Sequence, residues 1–147
     1  SRMAESKVAP RDPRLLALLS SYERLTGESL GTPESLWGAP FALLSHGTED
    51  PPVFWYGNQT ALGLWERSFE EFTRMPSRET AEPDGREVRE RLLAQVREHG
   101  ITRQYTGVRI SKTGRRFLIE NATVWNVTDD DGRLIGQAAT FASWTYL

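Results

Sequence analysis

Residues 101–147 constrain the fold more than any other part of the chain. "ITRQYTGVRIS" (101–111), "RRFLIENATVWNV" (115–127) and "LIGQAATFASWTYL" (134–147) are rich in β-branched and aromatic residues. Only "KTG" and the Asp-Gly loop "TDDDGR" separate them. Connections this short suit hairpins, whereas parallel strands need a crossover of about a dozen residues or more. The chain therefore ends in three antiparallel strands.

Upstream, capping signals divide the sequence into helices. Asp12-Pro13 reads as an N-cap and first helical position, Leu15, Leu16, Leu19, Tyr22 and Leu25 follow at roughly helical spacing, and Gly27 ends the run. "GTPESLWGAP" (31–40) is a connector with at most a helical turn. "FALLSHG" (41–47) and "VFWYGN" (53–58) read as strands that can pair across the turn "TEDPP". Asn58 can cap a helix from Gln59 carrying Ala61, Leu62, Leu64 and Trp65. Ser68 and Glu71 form a capping box for "FEEFTRM". A longer helix is expected from Asp84 to about His99, with Val88, Leu92, Leu93 and Val96 on its inner face and Gly100 as terminator. The expected class is α+β: a five-stranded antiparallel sheet, helices gathered on one face, and an N-terminal flanking helix.

The 147 residues suit one domain, expected over 12–147, with 1–11 as a frayed or expression-derived leader. Net charge is −2 and no basic block occurs, so no direct nucleic-acid contact is expected. The apolar runs are too short for a bilayer and no signal peptide is visible, so a cytoplasmic chain without membrane contact is the expectation. The absence of cysteine excludes disulfides, thiolate metal sites and any cysteine-linked flavin or chromophore. With His46 and His99 as the only histidines, no His-rich metal site can be built in one chain, and haem is disfavoured.

Several blocks in order carry a resemblance. "VFWYGN", "LWERSFEEF" and "SKTGRRFLIENATVWNVTDDDGRLIGQAATF" resemble PAS-domain strand and helix signatures. "APFALLSHGTEDPPVFWYGNQTALGLWE", "PSRETAEP", "YTGVRISKTGRRFLIENATVWNV" and "GQAATFASW" resemble the MEKHLA domain, a PAS-like family, over about residues 12–145. MEKHLA domains occur alone or at the C-terminus of plant homeodomain–leucine-zipper transcription factors; here no DNA-binding region is expected. The resemblance implies a PAS-like fold with a sensory, ligand-binding or interaction role, and no established reaction.

The candidate ligand-binding residues are Ser77, Arg78, Thr80, His46, Tyr105, Arg109, Trp125, Gln137 and Phe141. "PSRETAEP" falls where a PAS domain walls its pocket. Ser77 and Thr80 can cap a turn there or face the sheet. Arg78 is solvated, paired with Glu120 or Glu82, or turned inward to clamp a carboxylate or phosphate. His46 is a structural or a ligand-contacting residue. Arg109 is exposed, cross-strand paired, or shares a polar pocket with Tyr105. Strict alternation puts Phe117, Ile119, Asn121, Thr123 and Trp125 on one face of their strand. It sets Gln137 and Phe141 against Trp144 in the last strand. Three functions stay open. The first is a module holding a small organic ligand, an anion among the candidates, between sheet and helices. The second is a pure oligomerisation domain, as homodimer or with a protein partner, its N-terminal helix a lid or a dimerisation helix. The third is an enzyme drawing on Glu79, His46, Arg78 and Tyr105; no nucleophile, metal or phosphate-loop motif supports it.

Overall fold

The first helix begins where its cap chemistry places it. In the computed structural model, which describes residues 6–147, the Asp12 carboxylate accepts from the Arg14 amide and Pro13 opens helix α1, Pro13–Thr26. Gly27, in the left-handed region, closes it. Strands β1 (Ala42–His46) and β2 (Phe54–Gly57) pair antiparallel. Helices α2 (Gln59–Trp65) and α3 (Phe69–Phe72) follow, then a 3-10 turn over Ser77–Thr80 and helix α4 (Pro83–His99). The chain closes with β3 (Ile101–Ile110), β4 (Arg116–Thr128), β5 (Leu134–Phe141) and β6 (Ser143–Tyr146).

The strands form one antiparallel sheet in the order β2-β1-β5-β4-β3, with β6 also beside β4. Buried Asn58 pins its centre. Its carbonyl oxygen accepts from Leu43 N (3.0 Å) and Ala61 N (3.1 Å), and its amide donates to Leu36 O (3.0 Å) and Phe41 O (2.9 Å). One side chain thus caps α2, holds β1 and fastens the connector before it. The capping box at α3 also forms, with Ser68 N to Glu71 Oε1 at 2.9 Å and Glu71 N to Ser68 Oγ at 3.1 Å.

Both faces of the sheet are covered. Leu15, Leu18 and Tyr22 of α1 pack on Leu43, Trp125, Val127 and Ala138. Among the two roles expected for this helix, it takes that of a lid on the outer face. Of the expected leader, Val8 joins the same core while Lys7 and residues 9–11 are exposed, and residues 1–5 lie outside the described residues. On the opposite face, Ala61, Leu64, Trp65 and Phe72 meet Leu44, Phe117, Ile119 and Phe141, and Leu93 and Val96 of α4 meet Val124.

Three expectations change. The single strand expected over 134–147 is interrupted at Ala142 into β5 and β6, which keep one register beside β4: Thr123 faces Thr140, and Glu120 faces Ser143. Strict alternation along β4 also fails. Phe117 and Ile119 share the helix-covered face with Ala122 and Val124, whereas Trp125 faces α1. The switch falls at Asn121, whose φ of 53° lies in the left-handed region. An extra residue there, opposite a single residue of β3, reverses the side to which the following residues point. Trp144 accordingly lies with Phe141, not against it (6.1 Å between rings). Finally, α4 starts at Pro83 with Glu82 as cap residue, and Asp84 sits in its first turn.

Candidate functional site

A cavity of about 50 Å³ lies between α4, the 3-10 turn and the sheet. Six of the nine candidates line it: His46, Thr80, Tyr105, Arg109, Gln137 and Phe141. Three do not. Trp125 is fully buried on the other face, edge-on to Tyr22 at 4.9 Å, with its N–H toward Leu18 O (3.4 Å). Arg78 is exposed. Ser77 is buried beside Thr80 without lining the cavity; it makes no capping bond, and its hydroxyl has no partner. Thr80 donates to Ser77 O at 2.7 Å. Ser77 N donates to Pro52 O at 2.8 Å, tying the turn to the segment before β2. The ion pair considered for Arg78 is made by other groups: Glu82 holds Arg116 at 2.6 Å, and Glu120 accepts from Thr145.

The inward guanidinium comes instead from α4. Arg89 is only 5% exposed and lines the cavity. It belongs to the stripe Arg89, Leu93, Val96, spaced i, i+4, i+7, that faces the sheet. Val88, expected inside, is 54% exposed. Among the described residues, the one ion-pair partner of Arg89 is Glu90 at 3.6 Å, a surface carboxylate, and no hydrogen bond to it is found. Burial, and then the Arg109 charge nearby, lower its pKa to about 10, so it stays protonated at neutral pH.

Arg109 is 8% exposed. Its guanidinium donates to Val108 O (2.9 Å) and to the Tyr105 hydroxyl (3.2 Å). Gly107 makes that arrangement possible: a Cβ there would overlap the Tyr105 hydroxyl and crowd the Arg109 guanidinium. Two cations therefore face one cavity, and among the described residues no Asp or Glu lines it. Trp65 also lines it, and its indole N–H is buried without an acceptor.

His46 donates through Nδ1 to Gly47 O (3.0 Å). A carbonyl only accepts, so Nδ1 carries the proton. Burial lowers the His46 pKa to about 4, so the ring is neutral at pH 7. Gln137 bridges sheet and helix, donating to Leu93 O at 2.9 Å. The four residues weighed as an acid–base set are not brought together, since Arg78 and Glu79 are exposed while His46 and Tyr105 line the cavity.

This architecture is that of a PAS domain. A PAS-domain structure from Colwellia psychrerythraea superposes with a TM-score of 0.62 at 15% identity, covering 76% of this chain and 90% of that one. A light-oxygen-voltage domain studied with a flavin analogue gives 0.59 at 14% identity, covering 72% and 76%. Within that fold the chain belongs to the MEKHLA domain family, whose sequence model matches residues 14–146. It is 28% identical over 155 residues to the homeobox-leucine zipper protein ATHB-9 of Arabidopsis thaliana, covering 94% of this chain and 18% of that protein. It is 30% identical over 118 residues to HOX29 of Oryza sativa subsp. indica, covering 78% and 13%. The chain thus spans less than a fifth of these relatives. No helix among the described residues is long and apolar enough to cross a membrane.

Proposed function

We propose that this domain is a PAS-type sensory module that holds a small organic anion between α4 and the sheet. The observation that carries it is the pair of buried guanidiniums, Arg89 and Arg109, lining one cavity with no carboxylate among its walls. Buried charges are normally paired, and an uncompensated one costs several kcal/mol. A bound anion supplies the missing partner through charge-assisted hydrogen bonds. The larger surface groove by α1 lacks this feature, because its Arg14 is already paired with Asp12 at 2.9 Å.

The flavin suggested by the light-oxygen-voltage neighbour does not fit these residues. A cavity of about 50 Å³ is far smaller than a pocket for a drug-sized ligand, which takes roughly 300 Å³ or more, and the chain has no cysteine to form an adduct.

Oligomerisation through α1 has weaker support. Leu16 and Leu25 are 45% and 41% exposed, but nine residues apart they lie on opposite sides of the helix and make no common stripe.

A thermal-shift panel at constant ionic strength tests the reading. Small organic anions at 10 mM are expected to raise the melting temperature by about 2–5 °C, and ammonium compounds of equal size are not. Equal shifts for both, or none for any anion, would overturn it.

A further inference from the structure

We infer that the anion is a short-chain monocarboxylate of two to four carbons, its carboxylate between Arg89 and Arg109 and its tail against Leu92, Leu93, Val124 and Phe141. This rests on reading the cavity as an anion site and narrows the chemistry of its occupant.

Size sets the first limit. One water needs roughly 10–15 Å³ of such space, so the cavity of about 50 Å³ takes a molecule of only a few heavy atoms. The walls set the second. The two guanidiniums are donors without a full set of acceptors: among the described residues Arg89 has no hydrogen bond, and Arg109 uses only two of its donors. Most of the remaining lining is hydrocarbon, with Leu44, Phe54, Leu92, Leu93, Val124 and Phe141 among it. An inorganic oxyanion such as phosphate presents oxygens on every side and would turn some of them toward leucine and phenylalanine at a desolvation cost. A dicarboxylate would bury its second charge against the same apolar wall. A monocarboxylate with an alkyl tail brings one charge for the two guanidiniums and hydrocarbon for the mostly apolar remainder of the lining.

Charge at the lower edge of the pH range is also set. The groups facing the site are Arg89 of α4, Arg109 and Tyr105 of β3, Thr80 of the 3-10 turn, and His46 and Gln137 of the sheet. Across pH 6 to 9 His46 stays neutral and Arg89 stays protonated. Binding should therefore be flat with pH across that window.

The experiment is a calorimetric titration of the intact chain with acetate, propionate, butyrate, hexanoate, succinate and inorganic phosphate, in chloride of fixed ionic strength. Affinity should rise by about fourfold per added methylene up to propionate or butyrate, then collapse at hexanoate, with succinate and phosphate at least tenfold weaker. Arg89→Met should lose tenfold or more, while His99→Gln, an exposed change, should lose nothing. Saturation-transfer NMR on the propionate methyl of the wild-type protein gives a readout that needs no variant. Phosphate or succinate binding as tightly as propionate would overturn the monocarboxylate assignment and leave the anion site standing. Binding of no anion at all would overturn both.

Discussion

Arg89→Met should make the ligand-free domain more stable, although it deletes a charged residue from the middle of a helix. Arg89 is 5% exposed, and burial, then the Arg109 charge, lowers its pKa to about 10. The sign follows from proton linkage: the folded state binds this proton less tightly than the unfolded state, so the cost is present in full at any pH below about 10. A displacement of that size corresponds to roughly 3 kcal/mol. Methionine keeps the apolar stem that packs on α4 and the sheet, but fills less volume and gives up the Glu90 contact. The net gain is then about 1–2 kcal/mol, in line with replacing other buried charges by hydrophobic groups. For a chain of this size that is about 3–6 °C in melting temperature. Urea unfolding followed by tryptophan fluorescence at pH 7 measures it, with an unchanged slope marking a true stability difference. In propionate at a hundred times the wild-type dissociation constant the gap should narrow by about 1.3 kcal/mol or more, because the wild type gains about 2.7 kcal/mol of linkage energy and a variant binding tenfold more weakly only about 1.4. A variant less stable by 1 kcal/mol or more without ligand, at the same slope, would show that Arg89 is internally compensated, and the case for an anion would fall with it.

Three further changes probe other parts of the argument. His46, neutral in the fold with its pKa lowered to about 4, takes up a proton more readily when unfolded, so its contribution is complete above pH 6.5 and lost as pH falls toward 4; His46→Gln should remove roughly 3 kcal/mol of the acid sensitivity between those limits, seen as the difference between two denaturation series. Asn58→Ala should cost about 3–4 kcal/mol by urea unfolding, since it orphans the Leu43 and Ala61 amides and two carbonyls in the interior. Gly107→Ala should leave stability within about 1 kcal/mol, because the crowded atoms are side-chain ends, yet weaken propionate binding about tenfold by displacing Tyr105 and Arg109; unchanged affinity by calorimetry would show that their placement does not matter.

Local chemistry was legible in the sequence wherever one residue type has one job. Asp12, Asn58 and the Ser68–Glu71 pair each cap the helix expected of them. Tyr105 and Arg109 share a face because β3 keeps its alternation between them. What was not legible is where alternation breaks. Asn121 reads as an ordinary mid-strand polar residue, and only its left-handed φ shows that it turns Trp125 away from the cavity. A signal was available: asparagine tolerates that conformation better than its neighbours. Arg89 was missed for a different reason. Val88 extends the apolar face of Leu92, Leu93 and Val96 better than Arg89 does, so pattern reading puts Val88 inside and passes over Arg89, although the other three do meet the cavity or the sheet. The inner stripe carries a cation, and a charged residue on an inward face defeats pattern rules.

Arg78 and Arg89 illustrate what an anion site of this kind asks of its scaffold. Arg78 sits on a four-residue turn, free to reach solvent, whereas Arg89 is held by a seventeen-residue helix whose register also buries Leu93 and Val96. The helix meets the sheet through a small cluster, Leu93 and Val96 against Val124, together with the Gln137–Leu93 hydrogen bond. Without an anion, Arg89 and Arg109 repel across that contact. In the proposed anion-bound state the same two residues would bridge α4 and β3. Binding energy would then act on the placement of one helix, since a ligand changes a conformational balance only to the extent that it binds the two states differently. The Arg89 charge, whose one ion-pair contact among the described residues is the exposed Glu90, would supply that difference. It follows that hydrogen exchange should slow on adding propionate mainly in α4 and the Ser77–Thr80 turn, and much less in α1, which packs on the other face of the sheet. Slowing spread evenly over both faces would mean that the carboxylate stabilises the whole domain without acting through the helix.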